Sequence, residues 1–351
     1  MIQGVHSLHL SGEGLLFSGS LLLSVPSCWF FCLLSASLMT DAANATSLTL
    51  HGLRQLSDQR LLFFILFLAA YVFALCSDGL VLVVICTHRG LHRPMYAFVG
   101  ALLLNSLVGG SALYPRLLWE LLWEGDSVIV TLPACACQAW VLYTLGTSAF
   151  MLLAAMAFDR YVAICQPMRY AALVSPRVVG ALLLFCWLIP AAMIGGTVLL
   201  AARLPHCRAQ VDRLYCDLYS LIRISCGGGG AQLSEVLALL SFTATVLVPA
   251  AFVLFTYSSI LFVCVCRTRS FSGKALRTCL PHLLVFLNYS GCSAAELLQR
   301  RLQAADQPAT SVLTSVLVVL VPTVLNPVVY GLNMSAITDK VRRLLGSRKT
   351  D

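Results

Sequence analysis

Runs of about 20 mostly apolar residues recur along this chain, and its charges gather in the short segments between them. The runs are Leu61 to Cys86, Pro94 to Tyr114, Cys135 to Asp159, Val178 to Leu200, Leu233 to Cys266, Leu276 to Leu298 and Thr310 to Leu332. As a helix each is long enough to cross the hydrocarbon core of a bilayer. Only helices and closed barrels satisfy every backbone N–H and C=O in lipid, and runs this long lack the alternation of barrel strands. The pattern predicts an all-α membrane protein, a seven-transmembrane helix bundle. Beyond the last run, Ala336 to Leu345 sets Val341, Leu344 and Leu345 against Lys340, Arg342 and Arg343, as expected of a short amphipathic C-terminal helix on a membrane surface. Residues 1–60 then form an N-terminal segment, 61–334 the bundle and 335–351 a tail.

Composition agrees: 59% of the 351 residues are hydrophobic and 11% charged, where a soluble domain carries about a quarter charged. Charge placement adds orientation. Of the 23 Lys and Arg residues, fourteen fall in the loops after the first, third and fifth runs and in the tail, which makes those segments cytoplasmic and the N-terminus extracellular. Glu120, Glu124, Asp126, Asp212, Asp217, Glu296 and Asp306 lie on the other side. The net charge of +8 is thus an asymmetry across a membrane. Basic residues scattered over short loops at helix ends imply lipid as a partner, and no nucleic acid.

The apolar stretch from Gly14 to Met39 contains Pro26 and lacks the basic residues that precede a secretory signal core. Residues 1–38 read as a signal sequence or, by preference, as an upstream extension with Met39 the start. Asn44-Ala45-Thr46 is a glycosylation sequon on the outer side.

Among the polar side chains inside the runs are Asp78 in the first, Asn105 in the second and Asn326 in the seventh. A lone carboxylate in a bundle is costly, so Asp78 is expected to find Asn105 and Asn326 or a water cluster. Both a neutral Asp78 with one structural hydrogen bond and an ion or proton site are open on this pattern. Asp159 and Arg160 stand side by side where the third run ends, either as a satisfied ion pair at a helix end or as a functional pair. Most of the 15 cysteines lie in the runs and act as small apolar residues. Those expected outside are Cys135 or Cys137, with Cys207, Cys216 and Cys226, where oxidising conditions permit disulfides.

Four motifs now coincide. Met156-Ala157-Phe158-Asp159-Arg160-Tyr161-Val162-Ala163-Ile164-Cys165 ends the third run, and Leu91-His92-Arg93-Pro94-Met95-Tyr96 opens the second. Lys274-Ala275-Leu276-Arg277-Thr278-Cys279-Leu280-Pro281-His282 opens the sixth, and Asn326-Pro327-Val328-Val329-Tyr330 ends the seventh. Together they resemble the rhodopsin-like G-protein-coupled receptors, and specifically the olfactory (odorant) receptors, over about residues 48 to 346. The resemblance implies a plasma-membrane, multi-pass receptor with no cofactor and no metal, which binds a small odorant and activates a stimulatory heterotrimeric G protein. It assigns the switch to Asp159, Arg160, Tyr161, Tyr257, His282, Asn326, Pro327 and Tyr330. It pairs Cys135 with Cys216 and Cys207 with Cys226. Counting from the motifs, it aims Leu142, Tyr143, Gly146, Thr147, Ser241, Thr245, Asn288 and Tyr289 at the ligand. The family usually presents Asn in the first helix and Asp in the second, so Asp78 and Asn105 look exchanged.

Arg301 follows the sixth run where some receptors of this family hold an acid-binding arginine. Against that stands the reading of Arg300 and Arg301 as solvated loop cations balanced by Glu296 and Asp306. Other classes lack their signatures. The seventh run has no lysine for a retinal Schiff base, Leu142 stands where amine receptors place an acid, no internal repeat suggests a transporter, and no HExxH or GxSxG suggests an enzyme. A non-olfactory rhodopsin-like receptor for a small ligand is the nearest alternative.

Overall fold

The computed structural model describes residues 47–52, 59–122, 128–211, 213–267, 272–302 and 308–333, with side chains for all of these except 265–278, 300–312 and 331–333. Residues 1–38, Asn44, the expected C-terminal helix and the Arg301 side chain lie outside what is described.

Seven long helices are present among the described residues: α1 (Arg60–Thr87), α2 (Pro94–Leu122), α3 (Leu132–Cys165), α4 (Pro176–Arg203), α5, α6 (Ser272–Leu302) and α7 (Pro308–Asn333). α5 runs from Gly229–Phe242 through a π turn, Thr243–Leu247, into Val248–Arg267. Six of the seven, all but α6, are long and apolar enough to cross a membrane. On α1, Leu61, Leu62, Ile65 and Leu66 point outward and are exposed. A helix that is apolar on its outer face as well as its inner one suits lipid and not water.

Local signals set the helix ends. Ser175 caps α4 by accepting from the Val178 N–H at 3.4 Å, with Pro176 at the first helical position where its missing N–H costs nothing. α2 runs two turns past the expected Tyr114, and α3 continues past Asp159 to Cys165. The π turn was not legible from the apolar pattern of the fifth run. There Thr245 donates to the Ser241 carbonyl at 2.6 Å, a local side-chain bond to the backbone that hydropathy cannot register.

α3 is the central helix and packs against α2, α4, α5 and α6. Phe98, Leu102 and Leu103 of α2 meet Leu152, Leu153 and Met156 of α3 in the main core. Asn105 sits in this layer, donating to the Leu145 carbonyl at 2.9 Å and accepting from Trp187 Nε1 at 3.1 Å. The expectation that Asn105 serves Asp78 is therefore corrected: it ties α2 to α3 and α4. Asn326 does not serve it either, since its amide donates to Tyr289. Asp78 is fully buried, and among the described residues neither carboxylate oxygen has a partner at hydrogen-bond geometry, although the Ser106 side chain acts on it.

The all-α expectation also needs a correction. A three-stranded sheet covers the end of the bundle where α2 meets α3, in the order β2 (Val128–Thr131), β1 (Ser47–Leu50), β3 (Gln210–Val211). β1 pairs antiparallel with β2, Leu48 opposite Val130, and parallel with β3, Leu50 opposite Val211. Alternation in Ser-Leu-Thr-Leu buries Leu48 and Leu50 against α3, α4 and the loop that carries β3. Gly52 is required there because a Cβ would collide with the Arg213 backbone. Two disulfides pin the same loop: Cys135 at the start of α3 to Cys216, and Cys207 to Cys226. Cys137 is disulfide-bonded too, which the choice between Cys135 and Cys137 did not foresee.

Candidate functional sites at the two ends of the bundle

At the end away from the sheet, Asp159 is fully buried inside α3. Arg160 donates to it through Nε at 3.0 Å, and Tyr170, in the loop after α3, donates to its other oxygen at 2.7 Å. This is an ion pair with a third member. Burial and then the bond to Asp159 push the Tyr170 phenol well above its ordinary range, so it stays protonated and keeps donating.

Around this pair the structure brings together the other residues assigned to the switch. Tyr161 and Tyr257 pack with Ile260, Cys264 and Cys279. The His282 ring lies 5.7 Å from that of Tyr330, and both residues are buried. Among the described residues neither ring nitrogen of His282 has a hydrogen-bond partner, nor do the hydroxyls of Tyr257 and Tyr330. Buried groups with unused bonding capacity are costly in one arrangement and invite a second in which they are satisfied. Asn326, beside the buried Pro327, donates to the Tyr289 hydroxyl at 3.0 Å and so joins α7 to α6.

The residues aimed at a ligand separate into two groups. Ser241 and Thr245 are buried at the contact of α4 with α5, where Ser241 meets Thr197 at 3.4 Å and Thr245 bonds its own helix. Thr147 likewise donates to the Tyr143 carbonyl at 2.8 Å. By contrast Gly146 faces open space, with nothing within 4 Å of where a Cβ would stand. Leu142 and Tyr143 are half-buried on that stretch of α3. Asn288 accepts from the Cys292 thiol while its amide nitrogen has no partner, and Tyr289 meets the Phe150 ring edge-on at 6.1 Å.

Nearer the sheet is a polar cluster that the sequence reading did not single out. Glu296 on α6 accepts from Tyr143 and Tyr215, both at 3.5 Å, and faces Arg213 at 4.0 Å. Arg213 also donates to Ser315 of α7 at 3.4 Å. Glu296 thus reaches the outer loop, while the side chains of Arg300 and Arg301 lie outside what is described. Burial, then Glu296, raises the Tyr215 phenol far above its usual range, keeping it a donor. Burial works against the charge on Arg213, yet Asp217 and then Glu296 outweigh it and hold the guanidinium charged. The one clue in the sequence was an acid within the sixth apolar run, with an arginine three residues before a paired cysteine.

A family model described as olfactory receptor matches residues 67–348. Olfactory receptor 2AG2 of Homo sapiens is 31% identical over 283 residues, 80% of this chain and 87% of that protein. Olfactory receptor 10J1 of Homo sapiens is 30% identical over 305 residues, 86% of this chain and 93% of that protein. Olfactory receptor 10C1 of Homo sapiens is 30% identical over 308 residues, 87% of this chain and 96% of that protein.

Proposed function

Since this chain belongs to the olfactory receptor family, we propose that it is an odorant-binding G-protein-coupled receptor that activates a stimulatory heterotrimeric G protein. Membership makes it a multi-pass membrane protein and a signalling receptor, and displaces the transporter and enzyme readings. In the proposed reading α6 is a span as well, which brings the six to seven, residues 61–334 form the receptor domain, and 335–351 form a cytoplasmic tail with an amphipathic helix against lipid. The N-terminus, with a glycan at Asn44, faces outward from the plasma membrane.

The observation that carries the mechanism is the Asp159, Arg160 and Tyr170 latch beside the unpartnered His282, Tyr257 and Tyr330. A small ligand in the open space beside Gly146, against Leu142, Tyr143 and Asn288, shifts the bundle only by binding one arrangement of α3, α6 and α7 better than the other. Tyr289 is the relay, because it meets Phe150, one turn along α3 from Gly146, and also holds Asn326 on α7. Opening at the far end frees Arg160 for the G protein. The test is an odorant panel on cells expressing the receptor with a cyclic AMP reporter. Saturable responses to some small odorants are expected, and responses that persist in Tyr289→Ala at matched surface density would count against the relay.

Tyr170→Phe is expected to raise basal signalling. The change removes one donor to a buried carboxylate and little else. A charge-assisted bond is worth about 1.5 kcal/mol or more, and that shifts a two-state equilibrium about tenfold. Ligand-free cyclic AMP at matched surface level reads it out, and unchanged basal output would remove Tyr170 from the latch.

A further inference from the structure

The outer loop between α4 and α5 holds a cavity of its own, apart from the space beside Gly146. Its volume is about 510 Å³, and its lining includes Arg208, Arg213, Arg223 and Tyr219, with Val211 and Ile224 as an apolar floor. Among the described lining residues there are three guanidinium groups and no carboxylate. Three like charges round one space repel unless an anion joins them.

The walls are held in place by the backbone. Cys207 and Arg208 both donate to the Ile224 carbonyl, His206 pairs with Ser225, and the Cys207 to Cys226 disulfide closes the same hairpin. Arg208 is thereby fixed across from the short helix Leu218–Ile224 that carries Arg223. On the other side, β3 is held by its pairing with β1. Such a site needs little reorganisation to bind, which favours affinity.

Arg213 supplies the independent observation. It is only 3% exposed, and while Nη1 is engaged by Ser315 and Glu296, Nη2 has no hydrogen-bond partner among the described residues. A buried guanidinium nitrogen without an acceptor is an incomplete fork, and an oxyanion completes it in the bidentate geometry arginine prefers. Asp217 and Glu296 act on Arg213 but neither lines the cavity. Arg208 and Arg223, both exposed, line the same cavity.

We propose that this cavity is a second binding site, for a small monocarboxylate with a short hydrocarbon tail, whose carboxylate lies among Arg208, Arg213 and Arg223 and whose tail lies on Val211 and Ile224. The binding itself does not depend on the signalling reading. It is tested on the full-length receptor in lipid nanodiscs, by the thermal midpoint against rising sodium butyrate, with sodium acetate, sodium phosphate, 1-butanol and sodium chloride at matched ionic strength. Butyrate should give a saturable upward shift, acetate and phosphate should need about tenfold more, and 1-butanol should give none, because charge and tail are both required. Arg208→Ala with Arg223→Ala, both at exposed positions, should weaken butyrate about tenfold or more without lowering the ligand-free midpoint. Arg301→Ala should leave the butyrate response intact. No saturable shift beyond sodium chloride, or an equal shift in the double variant, overturns the site. Phosphate as potent as butyrate overturns the carboxylate assignment, and loss of the butyrate shift in Arg301→Ala moves acid recognition to α6.

Discussion

Arg160→Ala is expected to silence the receptor, with odorant-stimulated cyclic AMP falling to the level of cells that lack it. In the closed arrangement Arg160 lies on Asp159, its side chain still 17% exposed toward the end of the bundle. It is the one cation of the described switch residues placed to reach a G protein once the latch opens. Alanine removes that contact altogether, so no ligand concentration restores output. The fold should survive. Breaking a buried pair costs about 3–5 kcal/mol, but Asp159 keeps the Tyr170 donor, which limits the penalty. Surface staining of intact cells should therefore stay within about twofold of the parent. Full signalling by the variant would sink the proposed mechanism, and loss of surface protein would move Arg160 from switch to scaffold.

The second large effect is expected at Cys216. Its disulfide to Cys135 spans 81 residues, and a loop of that length removes about 4.5 kcal/mol of chain entropy from the unfolded state. The bridge also seats the outer loop, whose Cys216 N–H donates to Gln138 at 3.1 Å and whose Leu214 and Tyr215 pack on α2. Cys216→Ser should remove most receptor from the surface. Cys207→Ser, which opens a span of only 19 residues worth about 3 kcal/mol, should be milder. Non-reducing peptide mapping of the parent should recover both pairs linked, and Cys216 found as a free thiol would refute the scheme.

How much of this was legible in the sequence follows from what lipid demands. Backbone groups in a bilayer must be satisfied within each segment, so the apolar runs announced the helices one by one, and the switch motifs marked their ends. Even there the boundaries shifted, because α2 and α3 run on into polar residues that hydropathy excludes. The motif residues Asp159, Arg160, His282, Asn326 and Tyr330 could be named in advance because they match motifs of the family that the chain resembles.

Contacts between helices were a different matter. Whether Asn105 met Asp78 or Trp187 depended on how α1, α2 and α4 are rotated about their axes, which no single run encodes. The same is true of Tyr170 reaching back 11 residues to Asp159, and of Arg213 meeting Glu296 across 83 positions. The small sheet is the extreme case, since a four-residue strand is stable only when partners from two distant loops arrive beside it. A helical membrane receptor, and the residues proposed for its switch, could be read from the apolar runs and motifs of the chain alone. Only the tertiary structure decided which polar groups are satisfied, which are left waiting, and where three arginines gather, because those depend on packing between rigid elements far apart in the chain.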